Sequence, residues 1–252
     1  MMRVVDMFCG MGGFSKGLQD AGFDIVAGVD LCASALSSYR ANFPKAKCIE
    51  GDIRDLKPSD LPEHDLLVGS PPCQKFSRAN YYDRTEDREL IDAFKDLAKS
   101  SPNWVWENVL GSKSGEAGVV LDAQNFGVPQ RRKRFFSASF PFRKGPSTKP
   151  KVIRDAISIK GQGILDGFNS KVYGIDSVSP TIRRIPLKWY DGRPMRKPFR
   201  FTGFEHLSLQ DHLVLMGFPR SWKLAGGKTA SMLQIGNAVC PPVAKYIGSC
   251  IL

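Results

Sequence analysis

The chain has 252 residues, 42% hydrophobic and 24% charged, a balance typical of a soluble globular protein that can bury a sizeable core. No apolar run approaches the roughly 20 residues needed to span a bilayer, and a strand pattern starts at once, so we expect neither a membrane segment nor a signal peptide. The net charge of +11 favours a polyanionic partner.

The cysteines and histidines are also typical of a soluble, cytoplasmic protein without a metal site. The six cysteines show no CxxC spacing and are expected to be reduced thiols in a cytoplasmic protein: Cys9, Cys32, Cys48, Cys73, Cys240 and Cys250. The three histidines are scattered among polar residues: His64, His206 and His212. We therefore expect no metal site.

The N-terminal part of the chain predicts a nucleotide-like ligand site. A strand over 3–8 runs into the glycine turn 9–13, and a helix over 14–21 follows. Glycines let backbone N–H groups approach a ligand closely. A second strand over 23–29 is closed by Asp30, about 20 residues past the glycines, where an acid suits ribose hydroxyls. A helix over 33–42 and a third strand over 49–53, carrying Asp52, complete the pattern. The glycine loop lacks the GK[ST] signature of NTPases.

Two apolar runs then end in reactive side chains. The strand 66–70 leads to Pro71-Pro72-Cys73-Gln74, and the strand 104–108 carries Glu107. Neighbouring parallel strands would bring Cys73 and Glu107 to one edge of a sheet. A thiolate that adds to C6 of cytosine makes C5 nucleophilic, and a carboxylic acid at N3 stabilises the resulting charge. A lone cysteine is nevertheless more often a small buried apolar residue.

The rest of the chain alternates ordered and irregular patterns. Residues 75–92 are charged and aperiodic and predict a loop, and 90–99 predict a helix. Strands are predicted over 119–121 and 135–138. Residues 141–203 are rich in Pro, Gly and basic residues and predict a small, irregular, β-containing unit. Helices are predicted over 207–217 and through Ile251.

Most of the positive charge lies in one stretch. Residues 141–200 contain 14 Lys and Arg against four Asp, a net charge of +10. Such a concentration is the electrostatic footprint of a nucleic-acid contact, although a solvated basic face would look the same.

The order of motifs resembles that of the cytosine-C5 DNA methyltransferases. The motifs that carry this resemblance extend over both ends of the chain and are Asp6-Met7-Phe8-Cys9-Gly10-Met11-Gly12-Gly13-Phe14, Pro72-Cys73-Gln74, Glu107-Asn108-Val109, Gln130-Arg131-Arg132-Lys133-Arg134, the segment from Leu207 to Pro219 and Gly236-Asn237-Ala238-Val239. A single motif is weak evidence, but six in order make coincidence negligible.

The resemblance implies a role for each matching residue. Cys73 would be the nucleophile, Glu107 would engage N3, and Arg132 and Arg134 would orient a flipped cytosine and its phosphate. S-adenosylmethionine would be bound by Phe8, Gly10, Gly12, Gly13, Asp30, Asp52, Ile53, Leu90, Asn237 and Val239. Double-stranded DNA would be contacted by Gln74, Ser77, Arg183 and Arg184.

Three features depart from the family pattern. The family more often has Glu where Asp30 stands, followed by a bulkier residue than Leu31. The segment between Val109 and Gln130 is short, because relatives usually have a further helix and a longer strand there. The variable segment 141–203 is also short for the family, which predicts a compact DNA contact and a short target site.

The sequence therefore predicts an α/β fold with a Rossmann-like methyltransferase sheet and an inserted, mostly irregular or β target-recognition domain. The expected boundaries are 1–140 for the catalytic domain, 141–206 for the target-recognition domain and 207–252 for a hinge helix and return segment. The predicted enzyme is a monomeric, metal-free DNA (cytosine-5-)-methyltransferase of the restriction-modification type, acting in the cytoplasm of a prokaryotic or phage-infected cell.

Three alternatives stay open at this point. A tRNA cytosine-C5 methyltransferase would use the same scaffold, but its typical Cys-Phe-Thr tripeptide is absent. An amino-methyltransferase would resemble Ser70-Pro71-Pro72, but the next residue is Cys73 and not an aromatic platform. A degenerate DNA-binding protein would have no need of Cys73, Glu107 and Arg132 together.

Overall fold

The computed structural model describes residues 1–72, 85–112, 116–146, 148–166, 171–191 and 205–252. Its main element is a seven-stranded sheet with the order β3-β2-β1-β4-β5-β7-β6. The strands are β1 (Arg3–Met7), β2 (Asp24–Asp30), β3 (Lys47–Glu50), β4 (Leu66–Gly69), β5 (Trp104–Asn108), β6 (Val119–Asp122) and β7 (Lys133–Ala138). The strands β3, β2, β1, β4 and β5 are parallel, β7 runs antiparallel to β5, and β6 runs antiparallel to β7.

The structure describes seven helices among the described residues, and helices cover both faces of the sheet. They are α1 (Gly13–Asp20), α2 (Ala33–Asn42), α3 (Thr85–Ala98), α4 (Ile153–Ala156), α5 (Leu209–Leu215), α6 (Lys228–Asn237) and α7 (Pro241–Ile251). One apolar cluster joins α1, α2 and α7 to one face, and another joins α3 to the other.

Alternation along the strands explains this two-sided core. In β4, Leu66 and Val68 pack with the α1 and α7 side, whereas Leu67 packs with the α3 side. Both sets are fully buried. A strand buried on both faces reads as a continuous apolar run, which is why the sequence pattern of β4 shows no polar alternation. The seven strands and their helices therefore form the predicted α/β methyltransferase architecture.

The strand order reverses next to β1. From β1 the chain passes to β2 and β3 on one side, and then returns to β4 and β5 on the other. Helices that follow β1 and β4 consequently diverge, and a crevice opens at the carboxyl ends of these strands. The strand order alone therefore indicates that a ligand would bind at the carboxyl ends of β1 and β4.

The basic segment contributes a second, smaller sheet. Its antiparallel strands β8 (Gly163–Asp166), β9 (Lys171–Gly174) and β10 (Lys188–Tyr190) lie in the order β10-β8-β9. Trp189 of β10 is buried with Ile164 of β8, so this aromatic residue belongs to a core and not to a surface groove. The β-containing unit predicted over 141–203 thus has a defined sheet.

Several element boundaries differ from those predicted. The third strand is Lys47–Glu50, so Asp52 and Ile53 lie beyond it, with Ile53–Asp55 in a single 3-10 turn. Helix α3 begins at Thr85, ahead of the predicted start at 90. Helix α6 was not predicted, because its apolar residues do not follow a clear helical period and Gly236 lies inside it. Residues 75–84 of the predicted loop lie outside the described residues.

Candidate functional site

A cavity of about 690 Å³ opens at the carboxyl ends of β1, β2, β4 and β5. Nine of the ten residues predicted to bind the cofactor line it: Phe8, Gly10, Gly13, Asp30, Asp52, Ile53, Leu90, Asn237 and Val239. Three of the four predicted catalytic residues also line it: Glu107, Arg132 and Arg134. One continuous space therefore adjoins both predicted groups of residues.

The glycine turn at the end of β1 is fastened to the end of β2. The Gly10 N–H donates to Asp30 Oδ2 at 2.8 Å, and the Cys32 N–H donates to Asp30 Oδ1 at 2.8 Å. Burial raises the pKa of the Asp30 carboxyl, and these backbone hydrogen bonds partly oppose the rise. Phe8 begins the turn with φ 56°, a left-handed conformation that is rare outside glycine and that clusters at functional sites.

Gly12 does not line the cavity. It has φ 93°, and a Cβ at this position would lie 2.4 Å from the Phe43 ring. Glycine is needed here for the backbone conformation and for packing against the end of α2. Contact between Gly12 and the cofactor therefore stays a prediction, one that the lining of the cavity does not support.

The second acid of the cavity is already paired. Arg54 donates from its backbone N–H and from Nε to Asp52 Oδ1, each at 2.9 Å. These bonds lower the pKa of Asp52, so its carboxyl remains ionised. Asp52 can accept a hydrogen bond from a ligand amino group only through the oxygen lone pairs that Arg54 does not occupy.

Glu107 is buried at the wall of the cavity, with 6% of the residue exposed. Arg134 Nε lies 3.0 Å from Glu107 Oε1. Burial raises the pKa of the Glu107 carboxyl, while the positive charges of Arg134 and Arg132 pull it back. A buried acid balanced in this way can hold a proton that it later shares with a ligand atom.

The segment that leads to Cys73 is anchored beside Glu107. The Asn108 side chain donates to the Pro71 carbonyl at 3.1 Å, and its Oδ1 accepts from the Val109 N–H at 2.7 Å. On the other side, the Ser70 hydroxyl donates to the Phe8 carbonyl at 3.3 Å. Because β4 and β5 are parallel neighbours, this anchoring directs the Pro71-Pro72 segment along the edge that also carries Glu107.

Some predicted site residues lie elsewhere. Cys73, Gln74 and Ser77 lie outside the described residues. Arg183 and Arg184 are exposed and do not line the cavity, and Arg183 Nη1 lies 3.7 Å from Asp166 Oδ2. Their backbone nevertheless touches its wall, because a Cβ on Gly236 would lie 2.7 Å from the Arg183 carbonyl carbon.

Arg132 lines the cavity, and its guanidinium also bonds to the protein's own backbone. Only 3% of the residue is exposed, and its guanidinium donates to the carbonyls of Ile182, Gly236 and Ala238 at 3.2, 2.9 and 3.0 Å. These acceptors belong to the protein, so Arg132 joins three backbone segments at the edge of the cavity.

Sequence reasoning assigned Asn237 to the site but left out several other residues that α6 and the proline segment contribute. Leu233, Gln234 and Gly236 line the cavity from α6, and Ser70, Pro71 and Pro72 line it from the end of β4. The prolines were visible as a motif. The Gly236-Asn237-Ala238-Val239 motif signalled the end of α6, but no local pattern signalled Leu233 and Gln234, because their contact with the cavity depends on where the chain returns after the basic segment.

Neither a metal-holding cluster nor a membrane-spanning helix is found among the described residues. Within the ranges that the structure describes, no group of three or more His, Cys, Asp or Glu could hold a metal ion. In the same ranges no helix has the length and apolarity to cross a bilayer.

Comparison with known proteins agrees with this geometry. The family model described as C-5 cytosine-specific DNA methylase matches residues 2–120 and 170–252. The chain is 26% identical to the Type II methyltransferase M1.HphI of Haemophilus parahaemolyticus, over all of this chain and 87% of that protein. It is 28% identical to the Type II methyltransferase M.HindV of Haemophilus influenzae, over all of this chain and 96% of that protein.

Solved structures share the fold. The Dnmt2 methyltransferase of S. pombe superposes with a TM-score of 0.74 at 19% identity, covering 98% of this chain and 97% of that one. The methyltransferase EhMeth of Entamoeba histolytica gives a TM-score of 0.76 at 14% identity, covering 98% and 96%.

Proposed function

Because the chain belongs to the C-5 cytosine-specific DNA methylase family, we propose that it transfers a methyl group from S-adenosylmethionine to C5 of a cytosine in duplex DNA. The observation that carries this proposal is the buried Glu107–Arg134 pair beside the Pro71-Pro72 segment, at the wall of the large cavity. The proposal includes action in the cytoplasm of a prokaryotic or phage-infected cell, as a monomer and without a metal ion.

The cavity fits the cofactor. Its volume of about 690 Å³ suits a ligand of nucleoside size, and its wall combines apolar side chains with two acids. Phe8, Ile53 and Leu90 would hold an adenine ring, and Asp30 would hold ribose hydroxyls. Gly10, Gly13, Asn237 and Val239 would line the remaining surface. When bound, S-adenosylmethionine supplies an electrophilic methyl group carried by a sulfonium.

The protein's own groups activate the base. The Cys73 thiolate adds to C6 of a cytosine rotated out of the stack, and the electron pair moves toward C5 and N3. The Glu107 carboxyl, whose pKa is raised by burial, donates a hydrogen bond or proton to N3. After C5 is methylated, a water or hydroxide from solvent would accept the C5 proton as the thiolate is expelled, and N3 would return its proton to Glu107, which restores the aromatic ring.

Arg134 would position this acid and the substrate together. Its Nε is committed to Glu107, so the guanidinium orients the carboxyl and leaves other N–H donors for the base or a phosphate. The basic unit over 141–206 would be the target-recognition domain, between the catalytic domain 1–140 and the return segment 207–252. Its β8–β10 sheet and net positive charge support this division.

A trapping experiment tests the mechanism. Duplex DNA with 5-fluorocytosine at the target base should form a denaturation-resistant adduct, because fluorine at C5 cannot leave as a cation. The adduct should require S-adenosylmethionine and should be absent with Cys73→Ala. Bisulfite sequencing of plasmid from expressing cells first identifies the target. An enzyme that methylates this site but never traps the fluorinated duplex contradicts covalent catalysis by Cys73.

The same experiments separate the alternatives. The family model and the Type II relatives favour DNA over tRNA as substrate. Adduct formation with fluorinated RNA and not with DNA would instead support the tRNA enzyme. A degenerate DNA-binding protein would bind duplex DNA and show no methyl transfer in a single-turnover assay.

A further inference from the structure

The segment Pro129–Arg132 is a junction between the basic unit and the catalytic sheet. The Ser179 N–H donates to the Pro129 carbonyl, and the Arg131 N–H donates to the Ser179 carbonyl, each at 3.0 Å. The Thr181 hydroxyl donates to the Arg131 carbonyl at 2.6 Å. Paired backbone bonds of this kind fix the register of residues 179–181 against the start of β7.

A buried side chain strengthens the junction. Gln130 is fully buried; its Oε1 accepts from the Ile182 N–H and its Nε2 donates to the Leu215 carbonyl, each at 3.1 Å. The amide therefore connects the basic unit to the end of α5. Arg131 lies beside it in sequence, but its own side chain is exposed.

Arg132 extends the junction to the cofactor cavity. Its Nη1 donates to the Ile182 carbonyl, and its Nη2 donates to the carbonyls of Gly236 and Ala238. Ile182 directly precedes Arg183 and Arg184, whereas Gly236 and Ala238 line the cavity. One buried guanidinium thus holds the backbone that leads to the proposed DNA contacts and the backbone that forms the cavity wall.

The two backbones also touch directly. A Cβ on Gly236 would lie 2.7 Å from the carbonyl carbon of Arg183 and 3.0 Å from the Arg184 nitrogen. Neither segment can shift toward the other, and neither can move away without lengthening hydrogen bonds to a buried cation. Hydrogen bonds to a charged group are among the stronger ones in a protein, and breaking them in a buried site is costly.

We propose that Arg132 is a positioning residue that couples DNA binding to cofactor binding, because its guanidinium ties the Ile182–Arg184 backbone to the Gly236–Ala238 wall of the cavity. This inference rests on the proposed function, since it assumes that Arg183 and Arg184 face DNA and that the cavity holds the cofactor. DNA that fixes the Arg183-Arg184 segment also fixes the wall, so the cofactor meets a preformed site. Linkage then requires the cofactor to raise DNA affinity by the same factor.

The test measures the coupling factor directly. Calorimetry gives the affinity of the full chain for S-adenosylhomocysteine, which is not consumed, with and without a saturating duplex that carries the target site. For the parent we expect a ratio between about 5 and 150, the usual range of coupling between two sites. Arg132→Lys should bring the ratio to within about twofold of one, because an ammonium cannot span three carbonyls. Arg131→Ala is the matched control and should keep the parent ratio.

The outcome distinguishes coupling from a merely structural role. A merely structural defect would lower the melting temperature and the affinity for S-adenosylhomocysteine both with and without DNA, but it would leave the ratio of these two affinities at the parent value. That result overturns the inference. So does a parent ratio of one. If Arg132→Lys does not fold, Gly236→Ala takes its place with the same expectation, because its Cβ displaces the Arg183 backbone. Cofactor binding and methylation by the parent test the proposed function separately, so the two failures can be told apart.

Discussion

The contact between α1 and α7 provides a sharp test of how the end of the chain packs. A Cβ on Gly17 of α1 would lie 2.2 Å from the Pro241 carbonyl oxygen and 2.7 Å from the Lys245 nitrogen. These are backbone atoms of α7, so no side-chain rotation relieves the clash. Gly17→Ala should therefore push α7 away from α1.

Two opposing effects set the magnitude. Alanine in a helix interior gains about 1 kcal/mol over glycine. Overpacking a close contact costs about 1–3 kcal/mol and more where backbone must move. The added Cβ is fixed to the α1 backbone and meets backbone atoms of α7, so we expect an overpacking cost of about 3 kcal/mol. Subtracting the gain in helix propensity leaves a net loss of about 2 kcal/mol in the free energy of unfolding. For a chain of this size that is a fall in Tm of about 4–8 °C.

Thermal and urea unfolding of Gly17→Ala and of Gly174→Ala make the comparison. Gly174 has no atom within 4 Å of its would-be Cβ and is exposed, so its substitution should change Tm by less than about 2 °C. If Gly17→Ala raises the Tm, helix propensity has outweighed packing and the close approach of the two helices is refuted.

Three further predictions concern the acid, the DNA contact and pH. Glu107→Gln should lower the rate of single-turnover methyl transfer by about 10²–10³-fold and leave cofactor affinity within twofold, since an amide cannot donate a full proton. Loss of cofactor affinity at an unchanged rate would instead assign Glu107 to the cofactor-binding part of the cavity. Neutralising Arg183 and Arg184 should flatten the plot of log K against log salt by about 0.9–1.8, and an unchanged slope would move the DNA face elsewhere. His212 is fully buried, accepts from the Leu187 N–H at 3.0 Å and has a pKa lowered to about 4 by burial. Its folded pKa lies below its unfolded value of about 6.5, so its stabilising effect is present above that pH and is lost as pH falls through 4. The stability difference between the parent and His212→Gln should shrink by about 3 kcal/mol from pH 7.5 to pH 4 in urea titrations, and a constant difference would contradict a neutral His212.

The pH test needs the paired comparison because another buried group acts in the opposite sense. Asp6 is fully buried, accepts from the Ser15 hydroxyl and N–H, and has a pKa raised to about 7 by burial. Its contribution is present below pH 4 and is lost as pH rises through 7. Both proteins in the comparison retain Asp6, so its effect cancels in the difference.

The sequence by itself determined the parts of the site whose chemistry is local. The glycine turn, the acid that closes β2 and Glu107 at the end of β5 were predicted because strand ends and glycines carry short-range signatures. Parallel pairing of β4 with β5 confirms that the Pro71-Pro72 segment and Glu107 share an edge. Those of the nine predicted cofactor residues that follow strands line the cavity for the same reason, since parallel strands end on the same side of a sheet.

Only the tertiary structure decided where Gly12, α6 and Arg132 lie relative to the cavity. Gly12 fits its site by contact with Phe43, which lies beyond β2 and α2 in the sequence, and α6 reaches the cavity only after the chain returns from the basic unit. The resemblance of Gln130-Arg131-Arg132-Lys133-Arg134 to a family motif implied that Arg132 orients a flipped cytosine and its phosphate. The fold also gives its guanidinium three backbone carbonyls from residues 50 to 106 positions away, which the motif did not indicate. The sequence gives the charge of a side chain directly. Its hydrogen-bond partners depend on long-range packing, which a local sequence pattern does not predict.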